Sequence, residues 1–368
     1  MTIDAIVTGH LCLDLIPPMD HVPPAGLAQP GRLFEVGAMG ISTGGCVSNT
    51  GLALHRLGVN VRLMSAVGDD PFGGLIVAHL RRRDPSLADY ITVRSGVSSS
   101  YTIVLSPARI DRVFLHFTGQ NSTFDSDCID FSLLRDARLL HLGYPAVLPR
   151  LIADDGAQLA TIFTRAKSAG VVTSMDTSLP DPDGPSGQVA WRPVLERVMP
   201  VVDIFVPSID EALFMLRRAD FDAWRGDVLS HLTRAYLDDL ARELIAMGGV
   251  IVGFKLGDMG VYLRAAGPER FDRLGRLGLD VGGCADRTHW APAFSTTVVS
   301  TVGAGDAAYA GLLAALLRGL SLEDAARWAC AVGACNVETA DATSGIRSWD
   351  ETQARMAAGW PVRARQLT

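Results

Sequence analysis

Short runs of valine, isoleucine and leucine recur along this chain with helix-compatible segments between them, and no other feature constrains the fold as tightly. The runs fall at 5–7, 61–67, 139–142, 171–175, 201–206 and 250–254, and the helical segments at 49–57, 152–169, 209–218 and 231–247. A strand with one wet face alternates apolar and polar residues strictly, whereas these runs are mainly apolar without that alternation. They read as strands covered on both faces, with the helices serving as cover and as the crossovers of a parallel sheet. The expectation is an α/β protein with a Rossmann-like parallel-sheet core. At 368 residues and 48% hydrophobic side chains, the chain can fill such a core as a single domain spanning 1–368.

Two stretches interrupt the rhythm. Segment 17–41 is rich in Pro and Gly and holds the strand-like Leu33-Phe34-Glu35-Val36. Segment 98–121 reads as a hairpin of 101–105 and 112–117 around a turn at Ser106-Pro107-Ala108-Arg109. Together they predict a small sheet standing off the core as a β lid. Asn121, at the hairpin's exit, either turns its amide toward a bound substrate or is a plain loop residue. Arg109 and Arg112, at the hairpin tip, either reach a substrate anion or lie exposed. A third irregular stretch, 267–294, reads as an insertion.

Charge and composition narrow the partners. A formal net charge of −7 gives no electrostatic footprint for a polyanion, so nucleic acid is not expected as a partner. The six cysteines are scattered without metal-ligand spacing and sit mostly in apolar or small-residue runs, as structural thiols do. The first ten residues carry Asp4 and no basic region, and no apolar stretch reaches membrane-spanning length. A cytoplasmic chain with no membrane partner is expected.

The chemistry concentrates near the end, in Val298-Val299-Ser300-Thr301-Val302-Gly303-Ala304-Gly305-Asp306. This reads as an apolar strand entering a Gly-Ala-Gly turn that opens directly into a helix. The unpaired N–H groups of a helix's first turn form an anion site, which phosphoryl transfer needs for the oxygens of the moving group. A carboxylate beside those donors can accept the proton of an incoming hydroxyl. Asp306 is placed for that role; the alternative local reading is that it caps the helix.

Further segments complete a pattern. Gly9-His10-Leu11-Cys12-Leu13-Asp14 places a carboxylate just beyond the first strand, and Gly44-Gly45-Cys46-Val47-Ser48-Asn49 precedes a helix. With the turn at Gly303, the order and wide separation of these motifs resemble the ribokinase-like carbohydrate kinases, also called the phosphofructokinase B type, from about residue 3 to residue 350. The resemblance implies a ribokinase-type core and a kinase that uses ATP and Mg2+. It implies that Asp14 and Asn49 hydrogen-bond substrate hydroxyls, and that Gly44 and Gly45 border the substrate as a lid hinge. Gly303, Ala304 and Gly305 match the anion hole and Asp306 the base. Ser208 and Glu211 fall where the family has an Asn-x-x-Glu motif that orders magnesium, with Glu211 acting through water and Ser208 replacing Asn. Lys255, Gly257 and Gly260 match the nucleotide-side loop, with Lys255 where Thr is common. Asn336 lies on the helix that precedes the closing loop, facing either the adenine or its own helix. Ser300 replaces an Asp that often helps to bind a monovalent cation, which puts potassium activation in doubt. Asp341 sits where Gly is frequent in the closing loop.

Three functions fit these residues. The first is a kinase acting on a sugar or sugar acid, and the second a nucleoside kinase whose base packs on Tyr101, Phe114 or Phe117. The third is a catalytically silent sugar-binding regulatory protein, which the departures at Ser208 and Ser300 would suit. A homodimer paired through the lid edges is the expected macromolecular partner.

Overall fold

The computed structural model describes residues 2–108, 113–365 and 367, so Arg109 and Arg112 lie outside the described residues. Among the described residues, two sheets form. The larger has nine strands in the order β13-β12-β11-β10-β9-β8-β1-β4-β5. Its central strands are β1 (Ile3–Gly9), β4 (Val61–Gly68), β8 (Ala137–Gly143) and β9 (Val172–Asp176), extended by β5 (Ile91–Arg94) at one side. Toward the other lie β10 (Ile204–Phe205), β11 (Ile251–Lys255), β12 (Val261–Ala265) and β13 (Thr288–Ala291). All pairings from β5 to β11 are parallel, and β12 and β13 close the edge antiparallel.

The apolar runs do what their composition requires. Along β1, Ala5 and Val7 face one core and Ile6 the other; along β4, Leu63 and Val67 oppose Met64 and Ala66. Each face is then covered by helices. The first core holds Cys46–Arg56, Ala304–Leu317 and Leu322–Asn336, and the second holds helices including Ile209–Leu216 and Arg234–Met247. In the Ala304 helix every residue from Asp306 to Leu317 is buried, as a helix apolar all round must be. Tyr309 bolts that helix to the sheet: its hydroxyl donates to the Met175 carbonyl at 2.7 Å and accepts from Ser174 Oγ at 3.1 Å.

The second sheet has the order β3-β2-β6-β7, with β2 at Cys12–Ile16, β3 at Gly40–Gly44, β6 at Tyr101–Leu105 and β7 at Val113–Phe117. The hairpin expected within 98–121 is this β6–β7 pair, in antiparallel register Tyr101↔Phe117. Segment 17–41 departs from expectation. Residues 33–36 form no strand, and Leu33 is 83% exposed. Their strand-like composition finds no neighbouring edge to pair with, and the ladder opposite β2 is taken by Gly40–Gly44. The residues just after β1 turn directly into β2, so Asp14 belongs to the small sheet itself.

Two other segments also differ. The expected strand at 298–302 is absent: Val298 and Val299 are half-exposed, and the Val299 and Ser300 amides donate to the single carbonyl of Val337 instead of to a ladder. Segment 267–294 is built into the domain. Pro268–Leu277 forms a 3₁₀ helix whose Arg273 bonds the buried Asp203 at 2.7 Å, and Thr288–Ala291 supplies the edge strand β13. The six cysteines are free and buried, and among the described residues no helix is long and apolar enough to cross a membrane.

Candidate active site

In an open parallel sheet, ligands sit beyond the carboxyl ends of the strands. Here those ends deliver Tyr144 after β8, Asp176 on β9 and Lys255 on β11, while Ser208 bridges to Lys255 just past β10. The Ala304 helix points its first turn at the same edge. Its N-cap, Gly303, has φ of 69°, and a Cβ there would lie 2.6 Å from that of Ala342 in the closing loop. Glycine is thus required both for the left-handed turn and for the close packing.

Asp306 does not cap this helix, since the N-cap is Gly303 without a side-chain bond. Its carboxylate is 2% exposed and is held from outside the helix. Asn49 Nδ2 and the Tyr144 hydroxyl donate to Oδ2 at 3.0 and 2.7 Å, and Thr50 Oγ1 donates to Oδ1 at 3.2 Å. Burial still outweighs these donors, so the carboxyl's pKa lies above the ordinary value. Tyr144 and Thr50 were not singled out in the sequence. Tyr144 takes a left-handed conformation (φ 63°), a strained choice for a tyrosine that lets its hydroxyl reach the carboxylate.

The paired glycines have a steric reason. A Cβ on Gly44 would lie 2.3 Å from the Asp14 carboxylate, and one on Gly45 would lie 2.4 Å from His10 Nδ1. Gly45 also has φ of 84° and forms the N-cap of the helix that carries Asn49 and Thr50. The structure therefore brings Asp14, Gly44, Gly45, Asn49 and Asp306 into one cluster. Burial raises the Asp14 pKa to about 6; the Cys12 thiol and Thr102 hydroxyl oppose the rise, and the charge of Asp306 adds to it.

On the other side of Asp306 lies a cavity of about 530 Å³, lined by Gly303, Ala304, Gly305, Asp306, Ser208, Glu211, Lys255, Gly257 and Gly260. Lys255 Nζ donates to both oxygens of Asp176 at 2.7 Å. Burial alone would lower the lysine's pKa, but the charges of Asp176, Glu211 and Asp306 together raise it. Three carboxylates share this one ammonium, and burial pushes Asp176 to about 7 and Glu211 upward. Ser208 and Glu211 form a capping box, with the Ser208 amide donating to Glu211 Oε2 at 2.7 Å.

Two expected residues are engaged elsewhere. Asn121 donates to the Leu11 carbonyl at 3.0 Å and accepts from Gln120, tying the hairpin's exit to the turn before β2. Asn336 is fully buried and donates to the Val302 carbonyl at 2.7 Å, so it braces the turn before Gly303. Among the described residues, no group of three or more His, Cys, Asp or Glu forms a ready-made metal cage.

A buried carboxylate in the first turn of a helix that opens from a glycine turn, beside a cavity lined by Ser208, Glu211 and Lys255, has the parts of an enzyme that moves a charged group onto a hydroxyl. The chain belongs to the pfkB family carbohydrate kinases, whose profile it matches over residues 3–349. It is 25% identical over 295 residues to an uncharacterized sugar kinase of Archaeoglobus fulgidus, covering 80% of this chain and 98% of that one. To the 2-dehydro-3-deoxygluconokinase of Bacillus subtilis it is 23% identical, covering 86% and 87%. Among solved structures, ribokinase of Arabidopsis thaliana complexed with ribose and ATP superposes with a TM-score of 0.71 at 17% identity, covering 96% of this chain and 98% of that chain. That likeness is one of fold.

Proposed function

We propose that this protein transfers the γ-phosphate of ATP to a hydroxyl of a sugar or sugar acid, with Asp306 as general base. The observation that carries the reading is the placement of Asp306: buried in the first turn of a helix, free of any capping role, and held by Asn49, Thr50 and Tyr144. In the reaction, the acceptor hydroxyl gives its proton to Asp306 as its oxygen attacks the γ-phosphorus. The bond from that phosphorus to the β-phosphate oxygen breaks, and ADP leaves. The turn of Gly303, Ala304 and Gly305 takes up the negative charge of the transferring oxygens, chiefly through the Gly303 and Gly305 amides, since the Ala304 amide also donates to the Thr301 carbonyl at 3.2 Å. The cavity lined by Ser208, Glu211, Lys255, Gly257 and Gly260 is the place for the nucleotide.

Magnesium fits this site by the chemistry of its donors. Asp176, Glu211 and Asp306 exceed the single positive charge of Lys255, and Mg2+ typically needs only one or two carboxylates besides substrate phosphates. Glu211 would hold it through water, and when bound it neutralises charge on the phosphate oxygens. The Arabidopsis ribokinase structure named above contains ATP, which supports the same nucleotide here.

The four-stranded sheet is proposed as a lid over the acceptor. By register, Asp14, Thr102, Phe114 and His116 share one of its faces. Leu15, Tyr101, Ile103, Leu115 and Phe117 share the other, where Phe72 packs on Tyr101 and Tyr101 on Phe117. Two of the three aromatic rings that could hold a nucleobase are thus turned away, which favours a sugar over a nucleoside. The exposed apolar side chains of that outer face, Ile41, Leu115 and Phe117, suit pairing with the lid of a second copy. A screen of ATP consumption across sugars, sugar acids and nucleosides tests the whole reading. Turnover confined to nucleosides would reject it, and turnover of none would leave a sugar-binding protein.

A further inference from the structure

His10 follows β1 directly and is 5% exposed, yet neither of its ring nitrogens has a hydrogen-bond partner. Buried polar groups in folded proteins nearly always find partners, and an unpaired one costs stability. The ring stacks on Tyr144 with centroids 6.0 Å apart, and tilts against His116 at 5.1 Å. Tyr144 is the residue that holds Asp306, and His116 shares a sheet face with Asp14. Thr102, between those two strands' residues, donates to or accepts from His116 Nδ1 at 3.0 Å. The imidazole of His10 therefore stands among the groups that surround the acceptor. One further orphan belongs to the same cluster, the amide oxygen of Asn49.

The charges here favour one kind of acceptor. Burial, with His116 adding to it, lowers the His10 pKa to about 3, so its ring is neutral and offers one donor and one acceptor. On this side lie the carboxyls of Asp14 and Asp306, the amide of Asn49, the hydroxyls of Tyr144 and Thr102, the Cys12 thiol and His116, whose pKa is lowered by partial desolvation of its ring. None is an ammonium or guanidinium group. Lys255, across Asp306, is already bound by both oxygens of Asp176. A substrate carboxylate would meet the acidic side chains of Asp14 and Asp306, whereas a polyol would satisfy the orphaned atoms.

Building on the kinase reading above, we infer that His10 selects the acceptor, its neutral imidazole hydrogen-bonding a hydroxyl of an uncharged sugar other than the one phosphorylated. The missing partner of the buried ring is then the substrate itself. The experiment compares kcat/KM for neutral sugars, their monodeoxy analogues and the corresponding sugar acids, in the wild type, His10→Ala and His10→Asn. The wild type should prefer neutral sugars and disfavour one monodeoxy analogue by about tenfold. In His10→Ala that discrimination should disappear through KM, and His10→Asn, which keeps a donor and an acceptor, should restore part of it. An unchanged monodeoxy pattern in His10→Ala would mean that water satisfies the ring, and would overturn the inference alone. So would a wild-type preference for sugar acids, a comparison that needs no variant and stands even if both substitutions unfold the chain. Wild-type protein that turns over no sugar would overturn the kinase reading and this inference with it.

Discussion

Asp306 lies between two sheets held by different means. The central strands of the nine-stranded sheet are buried on both faces; β9, for example, is buried at all five positions. In the four-stranded sheet, all five residues of β7 are exposed. Burial of apolar area is what resists local opening, so the edge that carries Tyr144, Asp176 and Lys255 is a fixed platform. The sheet that carries Asp14 and His116 has less to lose by moving. On the proposed kinase reading the comparison teaches a division of labour, with a preorganised phosphate side and an acceptor side that a substrate would complete.

The sharpest way to break that division is at the residue both sides share. Asp306→Asn should retain folding and ATP binding while turnover falls by about 10²–10⁴-fold. Steady-state kinetics with chemistry rate-limiting would reject the assignment if more than about a third of turnover survived.

The acceptor side should reveal its cost in stability. A carboxyl raised from 3.8 to about 6 binds protons more tightly folded than unfolded. Stability therefore falls as pH rises from about 4 to about 6 and stays lower above that. Asp14→Asn removes the penalty, and chemical denaturation should find it more stable than wild type by about 3 kcal/mol at pH 8, with little difference below pH 4. A destabilised variant at pH 8 would show that the Asp14 charge is paired after all.

On the platform side, Tyr144→Phe deletes one charged hydrogen bond to Asp306. Such bonds contribute about 1.5–3 kcal/mol, so kcat should drop by about tenfold or more while the KM for ATP holds. A rise in that KM instead would mean that Tyr144 acts through the cavity it also lines.

Motion can be read directly. Hydrogen exchange should be faster along β6 and β7 than along β8 and β9, and sugar should slow it in the small sheet alone. Equal protection in both sheets before substrate is added would remove the contrast. The smallest expected effect is ionic: with Ser300 in place of a carboxylate, exchanging potassium for sodium should leave turnover nearly unchanged. A strong potassium requirement would show that other oxygens complete a cation site.

Much of the platform was legible from residues alone. Mainly apolar runs demand cover on both faces, and a Gly-Ala-Gly turn leads straight into the Ala304 helix, because both consequences are local. The same local logic overreached at 33–36 and 298–302, where strand-like composition met no free edge. What the chain order could not supply was the company that Asp306 keeps. Asn49 and Tyr144 lie 257 and 162 residues away, and they reach it only because β1 pairs with β8 and the Cys46 helix packs on the Ala304 helix. The pairing of Lys255 with Asp176 and the isolation of His10 arise in the same way. A side chain's type follows from sequence, but its partners and its loss of water are properties of the packed interior, so tertiary structure alone decided the electrostatics of the site.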